Sequence, residues 1–228
     1  MNSGDGEDFD AHLDRVLIGG LEELDVRLAD YSEAWPKRFE AERRRIEASL
    51  GSTARRVEHV GSTAVPGLAA KPIVDIMVTV DDPDDESSYV PHLEQAGYVL
   101  RVREAGHRMF RTSARDVHVH VWPAASEHER RHLVFRDWLR SNPADRDEYE
   151  RTKRQLAGRW RDMNYYARAK ADIIERIMQR AEGSASPFGL GPRVGSRPVP
   201  EATAADGPHG PGGAQNPSTP GGNPSARM

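Results

Sequence analysis

Two groups of residues in this chain have types and spacing suited to holding phosphate and a cation. Gly61-Ser62 can present backbone N–H groups and a hydroxyl to phosphate oxygens, and Asp75, thirteen positions after Ser62, can offer a hard oxygen ligand to Mg²⁺. One run joins them: Glu58-His59-Val60-Gly61-Ser62-Thr63-Ala64-Val65-Pro66-Gly67-Leu68-Ala69-Ala70-Lys71-Pro72-Ile73-Val74-Asp75-Ile76. Lys71 stands just before the carboxylate and can meet phosphate as a point charge. A second carboxylate two residues after the first would complete such a metal site, but position 77 is Met. Further along, His118 and His120 share one face of an alternating segment, and two imidazoles at that spacing can bind one transition metal or move a proton.

Each feature also has a plain alternative. Gly61-Ser62 can be a polar turn, Lys71 a solvated lysine, and the histidines polar surface. Asp75 lies in an otherwise apolar strand, where an unpaired carboxylate is costly, so it needs a partner. The candidates are a metal, Lys71, Arg108, Arg111 or a histidine, and a metal would draw further ligands from Glu58, His59 or Asp116. A set of Asp75, His118 and His120 suits Zn²⁺ or Mn²⁺ better than Mg²⁺.

The elements that must position these residues follow from periodicity. Residues 10–18 read as a short helix and Leu24 to Leu28 as an edge strand. Phe39, Ile46 and Leu50 mark an amphipathic helix over 36–50, with Pro36 at its start and Gly51 at its end. Arg56 to Val60 is a short strand. In the strand from Pro72 to Val80, Val74, Ile76, Val78 and Val80 face one way and Ile73, Asp75, Met77 and Thr79 the other. A helix over about 86–96 precedes strands at about 98–103, 107–112 and 116–122, the last two joined by a hairpin at Thr112-Ser113-Ala114-Arg115. From Ser126 the period becomes helical: Ser126 and Glu129 fit a capping box, Asn142-Pro143 caps a helix to about Trp160, and Asn164 to Ala181 forms the last. The pattern predicts an α/β (α+β) fold, a mixed sheet of about five strands with helices on one side and a C-terminal helical layer over a polar groove.

Composition sets the limits. The chain has 228 residues, and after Glu182 its character changes: about half of the 20 glycines and 16 prolines fall in residues 183–228, without apolar periodicity. That tail cannot bury enough surface to offset its chain entropy and is expected to be disordered, as is the acidic stretch 1–11. Residues 12–182 form the expected domain. With no cysteine, disulfides, thiolate metal sites and a cysteine nucleophile are excluded. No run has the length of a membrane span, and the N-terminus lacks a basic, apolar leader, so a cytoplasmic protein is expected. The net charge of −4 gives no strong nucleic-acid signal.

Several separated motifs together resemble the GrpB family of small bacterial proteins. They are Tyr31-x-x-x-Trp35-Pro36, the Glu58–Ile76 run, His118-x-His120, His132-Leu133-x-Phe135-Arg136-Asp137-x-Leu139-Arg140-x-Asn142-Pro143, Tyr149, Lys153, and Tyr166 with Lys170. The resemblance implies a nucleotidyltransferase-like fold, found also fused behind dephospho-CoA kinase in some bacteria, and no defined substrate. It draws Arg136, Lys153, Tyr166 and Lys170 toward the sheet as phosphate and base contacts, where spacing alone reads them as local ion pairs and charged helix faces. The expected ligand is a nucleotide or a CoA-like phosphate compound. The expected function is metal-dependent nucleotidyl transfer to a small molecule or protein side chain, with Asp75 on the metal and His120 taking the acceptor's proton. The alternatives are a nucleotide- or CoA-binding module without chemistry, which Met77 favours, and a Zn²⁺- or Mn²⁺-dependent phosphoesterase.

Overall fold

The computed structural model describes residues 3–22, 27–157 and 163–184. Five strands, β1 (Arg56–Val60), β2 (Val74–Val80), β3 (Val99–Glu104), β4 (His107–Arg111) and β5 (Val117–Pro123), form one mixed sheet in the order β1-β2-β5-β4-β3. Only the central β2–β5 pair is parallel. Its register places Asp75 beside His118 and Met77 beside His120, so one sheet face carries the chemistry-bearing residues of both central strands.

The opposite face is the core. Val74, Ile76, Val78, Val117, Val119 and Val121 turn toward Trp35, Phe39, Ile46 and Leu50 of α2 (Ala34–Leu50) and toward Val90 and Leu93 of α3 (Val90–Gln95). Strict alternation along β2 and β5 is what separates an aliphatic side from a polar one. The mixed sheet and its helical covering match the fold expected from the pattern.

The polar face is walled by helices from both ends of the chain: α1 (Ser3–Val16), α4 (Glu127–Ser141), α5 (Pro143–Leu156), α6 (Met163–Ala169) and α7 (Ala171–Ser184). At α4 the Ser126 hydroxyl accepts from the Glu129 N–H at 3.3 Å, as expected of the box, while Glu129 reaches back to the N–H of Ala125 at 2.7 Å. Asn142 does not cap α5 with its side chain; its Nδ2 donates back to the Trp138 carbonyl at 3.1 Å, leaving Pro143 to open the helix. Leu139, Tyr149, Ile173 and Ile177 join Val65 and Leu68 of the long loop in a second, smaller core.

Several boundaries differ from the expected ones: α3 starts at Val90 rather than near 86, and α5 ends at Leu156, with Trp160 outside the described residues. The leading helix starts at Ser3 rather than near residue 10, within the stretch read as a disordered end. The last helix is broken at Lys170 into α6 and α7, because Tyr166 must face the cleft while Ile173 and Ile177 pack on α4 and α5. The expected strand 24–28 falls mostly, and the tail from 185 wholly, outside the described residues; α7 itself runs to Ser184.

Candidate metal and phosphate site

The site is built where β1 ends and β2 begins. Gly61 follows β1 with φ 68° and ψ −169°, a conformation reserved almost entirely for glycine. The turn lies against Asp75 so closely that a Cβ on Gly61 would sit 2.6 Å from Asp75 Oδ2. The glycine thus brings the loop onto the carboxylate, which the sequence reading assigned to phosphate contact alone. Ser62 opens the following turn and lines the cleft.

Asp75 Oδ1 lies 3.6 Å from His118 Nδ1 and 3.9 Å from His120 Nε2. All three ligand atoms fall within 4.8 Å of one another. A tetrahedral ion with ligands at roughly 2.1 Å sets its ligands roughly 3.4 Å apart, so a small inward turn of the rings suffices. Desolvation alone would raise the Asp75 pKa, but the facing His118 and His120 outweigh it and hold the carboxyl below its ordinary range. His120 is oriented from behind: its Nδ1 meets His107 Nε2 at 3.2 Å, and His107 Nδ1 faces Glu104 Oε2 at 3.6 Å. With Nε2 as ligand, His120 carries its proton on Nδ1 and donates it to His107, the supporting contact that metal-binding imidazoles usually have. Burial, then His120, keeps His107 neutral, its pKa pushed down to about 2. Its ring is stacked on Trp122 at 3.8 Å.

The other carboxylates considered for Asp75 are used elsewhere. Glu58 pairs with Arg136 at 2.8 Å, and Asp116 accepts from Thr112 at 2.7 Å and faces Arg38 at 3.5 Å. His59 lies on the core side, stacked on Phe39 and bonded to Thr63. Arg108 points away to Glu86 and Asp84, and Arg111 to Glu22. Met77 has no exposed surface, in the part of this face that α4 closes over by contacting β1 and β5.

Three lysines enter the same cleft, which has a volume of about 520 Å³. Lys71 Nζ lies 5.4 Å and Lys170 Nζ 4.5 Å from the centre of the Tyr166 ring. Lys153, 1 % exposed, donates to the Ala69 carbonyl and sits 4.9 Å from the Tyr149 ring. Burial, and then mutual repulsion, lowers Lys153 to about 7 and Lys71 to about 8; burial lowers Lys170 to about 8, with Asp75 opposing. Tyr166 is buried, its hydroxyl has no hydrogen-bond partner among the described residues, and its ring lies against the two ammonium groups.

Arg136 is not brought to this cleft. Its guanidinium binds Glu58 at 2.8 Å, Asp137 at 2.8 and 3.1 Å and the His59 carbonyl at 3.0 Å, fastening α4 to β1. Replacing it by methionine leaves the buried His59 carbonyl and the half-buried Glu58 carboxylate without their donor, at a cost of about 2–3 kcal/mol. Arg136→Met is therefore expected to melt several degrees lower, with its affinities for metal and triphosphate unchanged. A calorimetric melt and a titration check both parts.

Sequence reading missed two parts of the site. His132 of α4 lines the cleft, and its Nδ1 bonds the His128 carbonyl at 2.7 Å, so Nε2 is the ring's basic nitrogen. The signal was present in the motif containing His132 but looked like a helix surface. The second is α1, which lines the cleft through His12, Leu13 and Val16 and is tied to α6 by Tyr165 donating to Asp10 at 2.8 Å.

A family model described as "GrpB protein" matches residues 25–180. The chain belongs to the GrpB family. Among GrpB relatives it is 46% identical over 181 residues to a UPF0157 protein of Halalkalibacterium halodurans, covering 77% of this chain and 93% of that one. It is 52% identical over 168 residues to a UPF0157 protein of Streptomyces coelicolor, covering 72% and 89%. The crystal structure of conserved protein GrpB from Enterococcus faecalis superposes with a TM-score of 0.61 at 33% identity, over 70% of this chain and 99% of that chain. The GrpB match begins at residue 25, so α1 and the segment after it precede the matched region. Among the described residues no helix is long and apolar enough to cross a membrane.

Proposed function

We propose that this protein transfers a nucleotidyl group from a nucleoside triphosphate to a small acceptor, using a divalent metal held by Asp75, His118 and His120. The observation that carries the reading is the meeting, in one cleft, of three side chains placed to share a metal ion and three lysines. Two imidazoles and one carboxylate favour Mn²⁺ or Zn²⁺ over Mg²⁺. When bound, the metal would neutralise charge on the phosphates. Lys71, Lys153 and Lys170 would hold the leaving pyrophosphate, and the Gly61-Ser62 turn would position the phosphate that is attacked. The acceptor oxygen bonds to the α-phosphorus as the bond to pyrophosphate breaks. His132 Nε2, rather than the metal-engaged His120, takes the acceptor's proton.

The lysines make the binding step sensitive to pH. Burial lowers their pKa values to about 7 and 8, and an arriving polyanion restores the charged forms. Binding of ATP at pH 8 is therefore expected to take up protons, with affinity falling as pH rises from 7 to 9. Calorimetry in buffers of different ionisation enthalpy reads the uptake directly.

The decisive experiment is a thermal-shift panel of the full chain, crossing ATP, GTP, CTP, UTP and CoA with Mg²⁺, Mn²⁺ and Zn²⁺. A nucleotide shift that needs metal and disappears in Asp75→Ala supports the transferase reading. A metal-independent shift with a nucleotide or CoA replaces it with a binding module, and no nucleotide shift sinks it. The same imidazole-rich set favours, as a second reading, a phosphoesterase; release of nitrophenol from a nitrophenyl phosphate ester under Mn²⁺ or Zn²⁺ would select that one.

A further inference from the structure

Beyond His118, three arginines converge from three separate backbone features. Arg111 pairs with His118 across the antiparallel β4–β5 register, which puts the two side chains side by side on the site face. Arg101 is the extra residue of a bulge in β3: Leu100 pairs with Phe110 and Val102 with Met109, leaving Arg101 unmatched. Bulges re-aim side chains in this way, and this one delivers a guanidinium that is only 6 % exposed. Arg115 holds φ 60° in the β4–β5 turn, a left-handed conformation that costs a non-glycine residue about 1–2 kcal/mol. A bulge and a strained turn thus each present an arginine. The recess they line also includes His118 and Asn164 and adjoins the main cleft.

Glu22 is the carboxylate they share. It accepts two bonds of 2.8 Å from Arg111 and lies 3.1 Å from Arg115. The Arg111 bonds, with the charges of Arg101 and Arg115, hold its carboxyl down at about 2. Arg101 grips the same segment through the carbonyls of Ile18 and Gly20, and Gly19 and Gly20, both at positive φ, let the chain curl around its guanidinium. Among the described residues, one carboxylate set against three guanidinium groups leaves a positive excess in a partly buried place. A structural ion pair needs one arginine, whereas a site for an incoming anion gains from all three.

We propose that Arg101, Arg111 and Arg115 form an oxyanion-binding site for a carboxylate or phosphate group of a second small molecule, and that Glu22 is an internal carboxylate occupying it until that group displaces it. Arginine recognises both groups through the same two-pronged geometry. A molecule anchored there and extending past His118 would bring its far end to Asp75. Naming that molecule the acceptor rests on the transferase reading; the anion site does not.

The test titrates inorganic phosphate and succinate separately into the full chain stripped of metal and then freed of chelator by desalting, comparing wild type, Glu22→Gln, and Glu22→Gln combined with Arg111→Gln and Arg115→Gln. A tethered carboxylate competes at millimolar effective concentration. Glu22→Gln is therefore expected to bind at least one probe about fivefold more tightly than wild type, and the triple variant to lose that gain. A gain with phosphate alone identifies the ligand group as phosphate, and a gain with succinate alone as carboxylate. No gain with either probe, or a gain that survives in the triple variant, overturns the proposal. If the triple variant does not fold, Glu22→Gln with Arg115→Gln replaces it, since Arg115 is half-exposed in a turn. With no metal present, failure here leaves the Asp75 reading standing, and failure of the metal panel leaves this site standing.

Discussion

Asp75→Ala is expected to lower affinity for Mn²⁺ or Zn²⁺ by about 100-fold or more while leaving the fold intact. Substitutions behind a metal ligand typically cost about 10–100-fold, so removal of the one anionic ligand should reach at least the upper end of that range. What remains is His118 and His120, two neutral donors with no charge to offset the cation's dehydration. Stability without metal should change little. The carboxylate is partly desolvated between a turn and two imidazoles, so its removal relieves a cost as well as removing contacts. The measurement is isothermal titration of Mn²⁺ and Zn²⁺, paired with a melt in EDTA. Equal metal affinity in the variant would remove Asp75 from the centre, and a collapsed melt would make it a structural residue.

Met77 bears on the same point. From sequence it marks a missing ligand, an absence that in the sequence alone argues against metal chemistry. In the fold, position 77 is fully buried where α4 closes over the sheet, so a carboxylate there would be desolvated rather than available. The ligands come instead from the neighbouring parallel strand, at the register positions of Asp75 and Met77. The His118-x-His120 spacing declared that these rings share a face, but which strand lay alongside depended on a crossover that no local pattern encodes.

That distinction separates what was legible from what was not. Alternation in 72–80 and 116–122 identified the two-faced strands, and the switch of period at Ser126 identified the helical layer, because each side chain's direction follows from local geometry. Arg136 and Lys153 show the limit. Both lie on amphipathic helices in the same family-like pattern, yet one ties α4 to β1 and the other enters the cleft. Helix rotation relative to the sheet decides between them, and that is set by packing of Leu139, Tyr149 and Ile177, not by either residue's neighbours in sequence. The bulge at Arg101 was equally hidden, since an extra residue in a strand leaves the composition of the strand unchanged.

Gly61→Ala should damage stability and metal binding together, through two costs that can be separated. The first is conformational: φ 68° with ψ −169° is a region that only glycine enters freely, and occupying it with alanine costs about 1–3 kcal/mol. The second is contact. The new Cβ meets Asp75 Oδ2 at 2.6 Å, Cβ at 3.1 Å and Cγ at 3.3 Å, and a short side chain rooted in a central strand has little freedom to withdraw. If it turns away, Oδ1 leaves the two histidines; if it does not, the turn must lift. For a domain of this size each kcal/mol shifts the melting temperature by about 2–4 °C, so a fall of about 5–10 °C is expected, with metal affinity reduced as in Asp75→Ala. The double variant Gly61→Ala/Asp75→Ala divides the two costs, because it keeps the strained backbone and removes the carboxylate. It should melt above Gly61→Ala alone, the non-additivity that contacting residues show. Strictly additive melting shifts, or full metal affinity in Gly61→Ala, would mean that the turn does not position Asp75 and that this glycine serves only the chain's path.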